Sequence, residues 1–256
     1  MKITQVRNAT MILSYKEHNI LIDPMLAGQG KLPRLRYLGG GSPNPLVELP
    51  EKFDEISNKV DFALITHCQK GHFDHLDRRG SSFLRQRKIP VFSNAKDQTY
   101  LNKLGLLTTP LKRYMKNNFF DGTIELVNAR HGIGGISFLM EHGVGYFIRL
   151  PQMPSLYIMG DTVLTDEIRS FIDAEQPDYI VAPTGMAKFD IGSPILLTEK
   201  ETIELSKLSR GKIIANHMDA LDHCRVSRSR LKGLMAEYSL RNILVPEDGE
   251  SIDLGF

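Results

Sequence analysis

The stretch ITHCQKGHFDHLD, residues 65–77, places three histidines and two aspartates within eleven positions, immediately after the apolar run FALI. Imidazole nitrogens and carboxylate oxygens are ligands for zinc, manganese, iron or nickel. A packed turn has no structural use for two histidines flanking an aspartate. Burying His72, Asp74 and His75 without a cation would leave several polar groups to satisfy. Other groups of the same kind close apolar runs far apart in the chain: His67 ends FALITH, His131 follows TIELVNAR, Asp161 ends SLYIMGD and His217 ends KIIANH. Seven such groups suffice for two metals with a shared carboxylate. Two metals sharing a hydroxide make a strong nucleophile near neutral pH, which is hydrolase chemistry. Taken singly, several have simpler readings. Asp161 in GDT suits a cap for the helix starting near Thr165, and His18 and His142 read as ordinary hydrogen-bonded or exposed side chains.

The elements that must position these groups are short. Runs rich in β-branched and aromatic residues (KITQV, TMILSY, NILID, FALIT, PVF, TIELV, GYFIRL, LYIM, DYIVA, KIIA and NILV) read as strands. Helical spacing is predicted over 97–104, 165–174, 198–208 and 226–240. Hairpin strands that give way to strand and helix alternation point to a layered α/β fold, and the two halves of the chain repeat that order, a hint of internal duplication. In such folds ligands gather at the carboxyl ends of strands, so distant strand-end residues can meet in one cleft. The segment 26–50, with GGGSPNP and several prolines, is too long and turn-rich for a plain connector and reads as a functional loop rimming the site.

Composition narrows the functional classes. The 256 residues, 41% hydrophobic and 24% charged, suit one globular domain over 1–256. Lys and Arg total 32 against 30 for Asp and Glu, so the net charge of +2 gives no general attraction for nucleic acid or an anionic membrane. No apolar run approaches the roughly 20 residues that span a bilayer, no leader pattern is evident, and the expected location is the cytoplasm. Two cysteines, Cys68 and Cys224, are too few for a disulfide framework and are expected as thiols.

The ordered set His72-Phe73-Asp74-His75, then His131, Gly160-Asp161 and His217 resembles the signature of the metallo-β-lactamase-fold hydrolases, and RNATMILSYKEHNILIDPML looks like that family's first hairpins. The resemblance covers nearly the whole chain. It implies a four-layer αββα sandwich with the site on one edge. One metal would be held by His67, His72 and His131 and the other by Asp74, His75 and His217, with Asp161 bridging. Two divalent ions are expected, zinc foremost, with manganese, iron or nickel as alternatives. SPNPLVELP and HMDALDHC look most like the branch that includes L-ascorbate-6-phosphate lactonase. One departure stands out: where the pattern has one residue between its first two histidines, Cys68, Gln69, Lys70 and Gly71 intervene. An outward bulge at Gly71 would keep both rings pointing inward; alternatively Cys68 supplies a thiolate, or only one metal binds.

The expected reaction is attack by a metal-bound hydroxide on a small anionic ester, lactone or phosphodiester. Asp74 would orient the nucleophile, and His223 would donate a hydrogen bond to substrate or leaving group. Arg225, Arg228 and Lys188 are the candidates for holding the substrate's charge. Arg230, Arg34 and Arg36 add to the positive surroundings. Rival readings are a binding module without turnover, a nuclease or phosphodiesterase, and the diiron redox use of the fold, whose flavin domain 256 residues cannot hold. A small-molecule substrate and a homo-oligomer complete the expected partners.

Overall fold

The computed structural model describes residues 1–69, 72–132 and 143–255. Most of its strands are the β-branched runs of the sequence, and the central ones are buried over most of their length, as strands covered on both faces must be. Seven of them, β1 (Lys2–Arg7), β2 (Thr10–Tyr15), β3 (His18–Ile22), β4 (Phe62–Ile65), β5 (Pro90–Asn94), β6 (Leu107–Leu111) and β14 (Ser251–Asp253), form one sheet in the order β14-β1-β2-β3-β4-β5-β6. The second sheet runs β13-β12-β11-β10-β9-β8-β7, from β7 (Asn117–Phe119), β8 (Gly122–Asn128), β9 (Val144–Arg149), β10 (Leu156–Ile158), β11 (Tyr179–Pro183), β12 (Lys212–Asn216) and β13 (Ile243–Leu244). Each begins as an antiparallel meander and continues as parallel strands, so both halves of the chain follow one plan.

Three apolar layers hold these sheets. Between them lie Ile20, Ile22 and Leu64 from the first sheet against Tyr146, Ile158, Val181 and Ile214 from the second. The outer face of the first sheet is covered by α1 (Phe53–Ser57), α2 (Arg78–Gln86) and α3 (Gln98–Lys103) through Phe53, Leu84 and Leu101. The outer face of the second is covered by α4 (Asp166–Glu175), α5 (Glu199–Leu208) and α6 (Arg228–Tyr238) through Ile168, Ile172, Leu205 and Leu231. The result is the expected αββα sandwich. Among the described residues no helix is long and apolar enough to cross a membrane.

The predicted helices at 97–104, 165–174, 198–208 and 226–240 correspond to α3, α4, α5 and α6. Helix α2 gave no clear period because its only large apolar residues are Phe83 and Leu84 and it holds Gly80 in its first turn. That glycine is required by packing: a Cβ there would lie 2.0 Å from the Pro24 carbonyl oxygen. Strand β6 was missed because LTTPL is polar and carries Pro110, tolerable because β6 is an edge strand.

Tyr146 joins the sheets close to the site, its hydroxyl donating to the Ile65 carbonyl at 2.7 Å, two residues before His67. Tyr146→Phe deletes this buried bond and is expected to lower stability by about 1 kcal/mol. Urea unfolding checks it as a lower midpoint at unchanged slope; an unchanged midpoint would show that the contact contributes nothing.

Candidate metal centre

Four strands deliver ligating side chains to one edge of the sandwich. His67 lies two residues beyond β4, His131 three beyond β8, Asp161 three beyond β10 and His217 directly after β12. All four strand ends face the same edge because β8, β10 and β12 share one direction in their sheet. His72, Asp74 and His75 come from the turn that precedes α2. Gly160 makes the arrival of Asp161 possible: its φ is +65°, and a Cβ would stand 2.5 Å from the Val144 carbonyl oxygen.

The seven side chains separate into two groups. His67, His72 and His131 form one, with ring centroids 5.4, 5.6 and 5.8 Å apart. Asp74, His75, Asp161 and His217 form the other, and within each group the ligand atoms lie within 4.8 Å of one another. Asp161 touches both: its Oδ2 lies 3.0 Å from His75 Nε2, 3.4 Å from His217 Nε2 and 3.5 Å from His131 Nε2. Apart from half-buried His72, every member is buried.

The opposite edges of the rings are anchored. His75 Nδ1 meets Asp23 Oδ2 at 2.9 Å, and Asp23 also accepts from the Thr66 amide at 2.8 Å and hydroxyl at 2.7 Å. His131 Nδ1 donates to the Ile195 carbonyl at 2.9 Å, His67 Nδ1 lies 3.1 Å from Thr66 Oγ1, and His217 Nδ1 lies 3.5 Å from Cys224 Sγ. Fixing Nδ1 from outside leaves Nε2 facing inward, the arrangement that orients histidine toward a metal. Inside, His67 Nε2, His75 Nε2 and Asp161 Oδ2 are buried without a hydrogen-bond partner among the described residues. Buried polar atoms that converge yet satisfy nothing are what a cation would repair, so the donor set fits a divalent metal pair.

Electrostatics divides the groups. Burial pulls His67 well below the usual imidazole range and His131 down to about 4, so both rings are neutral at neutral pH. Burial also opposes charge on His75 and His217, but Asp161, with Asp23 for His75, outweighs it and holds both well above that range. The carboxyls of Asp74 and Asp161 are likewise opposed by burial, yet His217 and His75 hold them well below the usual carboxylate range.

Sequence reasoning passed over Asp23, although it closes NILID as His67 closes FALITH and carried the same strand-end signal. Cys68 requires a correction. It packs in the apolar layer under the outer helices, and burial pushes its thiol far above its usual range, so it is no thiolate ligand. The expected bulge at Lys70 and Gly71 lies outside the described residues, as does His142.

Arg228 is also corrected. It is buried, donating to the Pro246 carbonyl at 2.8 Å, to Asp219 at 3.2 Å and to Asp248, and so holds the start of α6 instead of presenting a charge to substrate. Arg230 is exposed and paired with Glu199 at 2.7 Å. Arg225 is exposed and Lys188 half-exposed, the latter giving its backbone amide to the His223 carbonyl at 2.9 Å. His223 is buried beside the centre, its ring 6.2 Å from that of His217 and 5.6 Å from that of Phe189, with Nδ1 unpartnered among the described residues. The loop 26–50 is fastened next to it: Asp222 accepts from the Leu35 amide at 3.1 Å and the Arg36 amide at 3.2 Å.

Comparison with known proteins identifies the lineage. No family model matches the chain. The UPF0173 protein YddR of Bacillus subtilis is 35% identical, the match covering 98% of this chain and 99% of that protein. The chain belongs to the UPF0173 family. A UPF0173 metal-dependent hydrolase of Christiangramia forsetii is 24% identical over 99% of this chain and 100% of its own. The crystal structure of an isothiocyanate hydrolase from Delia radicum gut bacteria superposes with a TM-score of 0.88 and 29% identity, covering 99% of each chain. The metallo-β-lactamase fold protein YhfI of Bacillus subtilis, at 13% identity and a TM-score of 0.67 over 98% of this chain and 99% of that one, shares the fold. This UPF0173 protein is therefore a metal-dependent hydrolase of the metallo-β-lactamase fold; the identities establish that family and not the lactonase branch.

Two outcomes follow for metal loading. Asp23→Ala frees the His75 ring and is expected to weaken metal affinity by about 10- to 100-fold, measured by competition with a chelator; unchanged affinity would remove Asp23 from the centre. Because raised folded pKa values keep protons on His75 and His217 as pH climbs past the ordinary imidazole range, metal entering their group must displace them, whereas His67 and His131 carry none. Affinity for one equivalent of zinc should therefore rise from about pH 6 to about pH 8 while the other stays nearly flat, and two parallel pH profiles would contradict this assignment.

Proposed function

We propose that this UPF0173 hydrolase cleaves a small molecule at an electrophilic carbon, with its two ligand groups holding a pair of divalent cations, zinc foremost. The observation that carries the reading is the convergence of two buried donor sets on one carboxylate, Asp161, with unsatisfied atoms facing inward. His67, His72 and His131 would hold one ion, Asp74, His75 and His217 the other, and Asp161 would serve both. Bound there, the pair would activate a water near neutral pH and polarise the bond under attack.

The chain's own residues do the rest. Asp74 is ionised and slightly open to solvent, so it can accept a proton from an entering water and fix its direction. His223, its Nδ1 unpartnered among the described residues and its ring against Phe189, would donate a hydrogen bond to the atom that gains charge. Thr66 and Asp23 keep the rings from turning.

For the substrate, the fixed arginines matter. Of the three residues expected to hold a substrate's charge, Arg228 is taken up by acidic partners, which leaves Arg225 and Lys188. A neutral electrophile fits that surface better, and an isothiocyanate is such a molecule. Water adds to its central carbon, nitrogen takes the protons, and an amine and carbonyl sulfide leave in balance. Exposed Arg225 supports a second reading, an anionic ester, lactone or phosphodiester.

The test is a panel of isothiocyanates, lactones, esters and phosphodiesters with metal-loaded and chelator-stripped protein. Amine release from an isothiocyanate that vanishes on stripping and returns with zinc is the expected result. Turnover of only the anionic members would move the assignment to the second reading, and loaded protein inert toward the whole panel would count against catalysis. His223→Gln is expected to lower kcat by about 100-fold or more while leaving two metals bound; loss of metal instead would make His223 part of the centre's scaffold.

A further inference from the structure

Asn8 was not among the chemistry-bearing residues of the sequence, yet its carboxamide lies inside the metal centre. It sits in the turn between β1 and β2 at φ 56°, a left-handed conformation that asparagine and glycine enter more readily than other residues. Its backbone carbonyl accepts from the His217 amide at 3.1 Å and from Gln5 Nε2 at 2.8 Å. The turn is thus tied to the residue that brings the last strand-end ligand. The side chain is fully buried, with Nδ2 3.3 Å from His217 Nε2. That same ring nitrogen faces Asp161 Oδ2 at 3.4 Å and Asp74 Oδ2 at 3.7 Å. The other end of the amide, Oδ1, is buried without a hydrogen-bond partner among the described residues.

A turn-forming role accounts for the φ angle and nothing more, since glycine would serve equally. It does not account for a buried amide aimed at a ligand nitrogen with its oxygen unmatched, an arrangement that is unfavourable unless something repays it. Amide oxygen and nitrogen exchange places by a half-turn of the terminal torsion. With Nδ2 inward the amino group faces the His217 ring nitrogen; with Oδ1 inward the amide offers an uncharged oxygen ligand. Beside a divalent cation the partly positive amino end is repelled and the carbonyl oxygen attracted, which decides the orientation.

We propose that Asn8 is an additional ligand residue of the second metal group, supplying Oδ1 beside Asp74, His75, Asp161 and His217. The proposal rests on the reading that those four residues hold a cation. It adds an oxygen from the first hairpin to a set otherwise drawn from the 72–77 turn and the second sheet, so that the start of the chain closes the centre.

The experiment titrates zinc into metal-free wild type, Asn8→Gly and Asn8→Asp, followed by calorimetry, with circular dichroism to verify the fold. Glycine keeps the φ angle and the backbone carbonyl and removes only the amide; aspartate keeps an oxygen and removes the donor. Wild type should bind two equivalents. Asn8→Gly should bind one unchanged and the other about tenfold more weakly or worse, and Asn8→Asp should match or exceed wild type. Wild-type affinity for both ions in Asn8→Gly, or equal weakening in both variants, overturns the proposal, the latter by showing that the amide acts through Nδ2. Should the glycine variant lose its fold, the aspartate variant alone decides: affinity kept or raised supports Oδ1, affinity lost refutes it. Wild type that binds no zinc would overturn the metal reading itself, an outcome distinct from a failure confined to Asn8.

Discussion

Burying imidazoles and carboxylates within a few ångströms of one another is unfavourable unless a cation neutralises their convergence, and the rest of this fold is arranged around that constraint. Six of the seven ligand side chains are buried, where desolvation penalises every charge they carry. Pairing among themselves is incomplete, since the single oxygen Asp161 Oδ2 faces three ring nitrogens at 3.0, 3.4 and 3.5 Å. The electrostatic division between neutral His67 and His131 and proton-retaining His75 and His217 follows from the same geometry: the carboxylates lie nearer the second group. A site built this way gains its stability and its chemistry together when metal enters.

Holding such a centre requires rigid approaches. Strand ends supply four of the candidate ligands, and the 72–77 turn supplies three more on a segment with no regular structure of its own. That turn is fixed at its far end by Asp77, which caps α2 through the Gly80 amide and also accepts from the Ala27 amide, each at 2.6 Å. Ala27 is in turn held by Arg7, whose buried guanidinium donates to the Met25 and Ala27 carbonyls at 2.8 Å. Burial lowers the Arg7 pKa to about 10, still far above neutral pH, so the guanidinium remains charged. One buried arginine on the first strand thus fixes the start of the long loop and, through it, the turn that carries His72, Asp74 and His75.

The layers and the ligand edge were legible because both rest on simple periodic facts. Continuous β-branched runs mark buried strands, and a histidine or aspartate closing such a run marks a carboxyl end. What escaped reading was set by tertiary contact. Asn8 looks like a turn residue in sequence, and only the folding of the first hairpin against β12 turns it toward His217. Arg228 reads as one of three similar arginines, yet its neighbours Asp219, Pro246 and Asp248 come from both sides of α6 and consume its donors. Cys68 lies inside the ligand-rich motif but packs in the helix layer with Ala63 and Ile65, because the strand's alternation breaks after β4, which frees His67 to point to the edge.

Scaffold and loops are held by different contacts. The candidate ligand set follows from the sandwich, whereas the loops near His223 are held by carboxylates through their backbone amides. Asp222 accepts from Leu35 and Arg36, and Asp190 accepts from Leu38 at 2.9 Å. Backbone amides and nearby arginines hold the Asp190 carboxyl below its usual range, so it stays ionised. Because these contacts use main chain on the loop side, the side chains of Tyr37 and Leu38 are left free and strongly exposed, and Ile191 stands out beside Asp190. Segment 187–195 is stitched to the centre from two directions, through Lys188 to His223 and through Ile195 to His131. A change of side chain in either loop leaves the backbone anchors near the candidate metal centre in place, a separation that lets one hydrolytic scaffold accept different substrates.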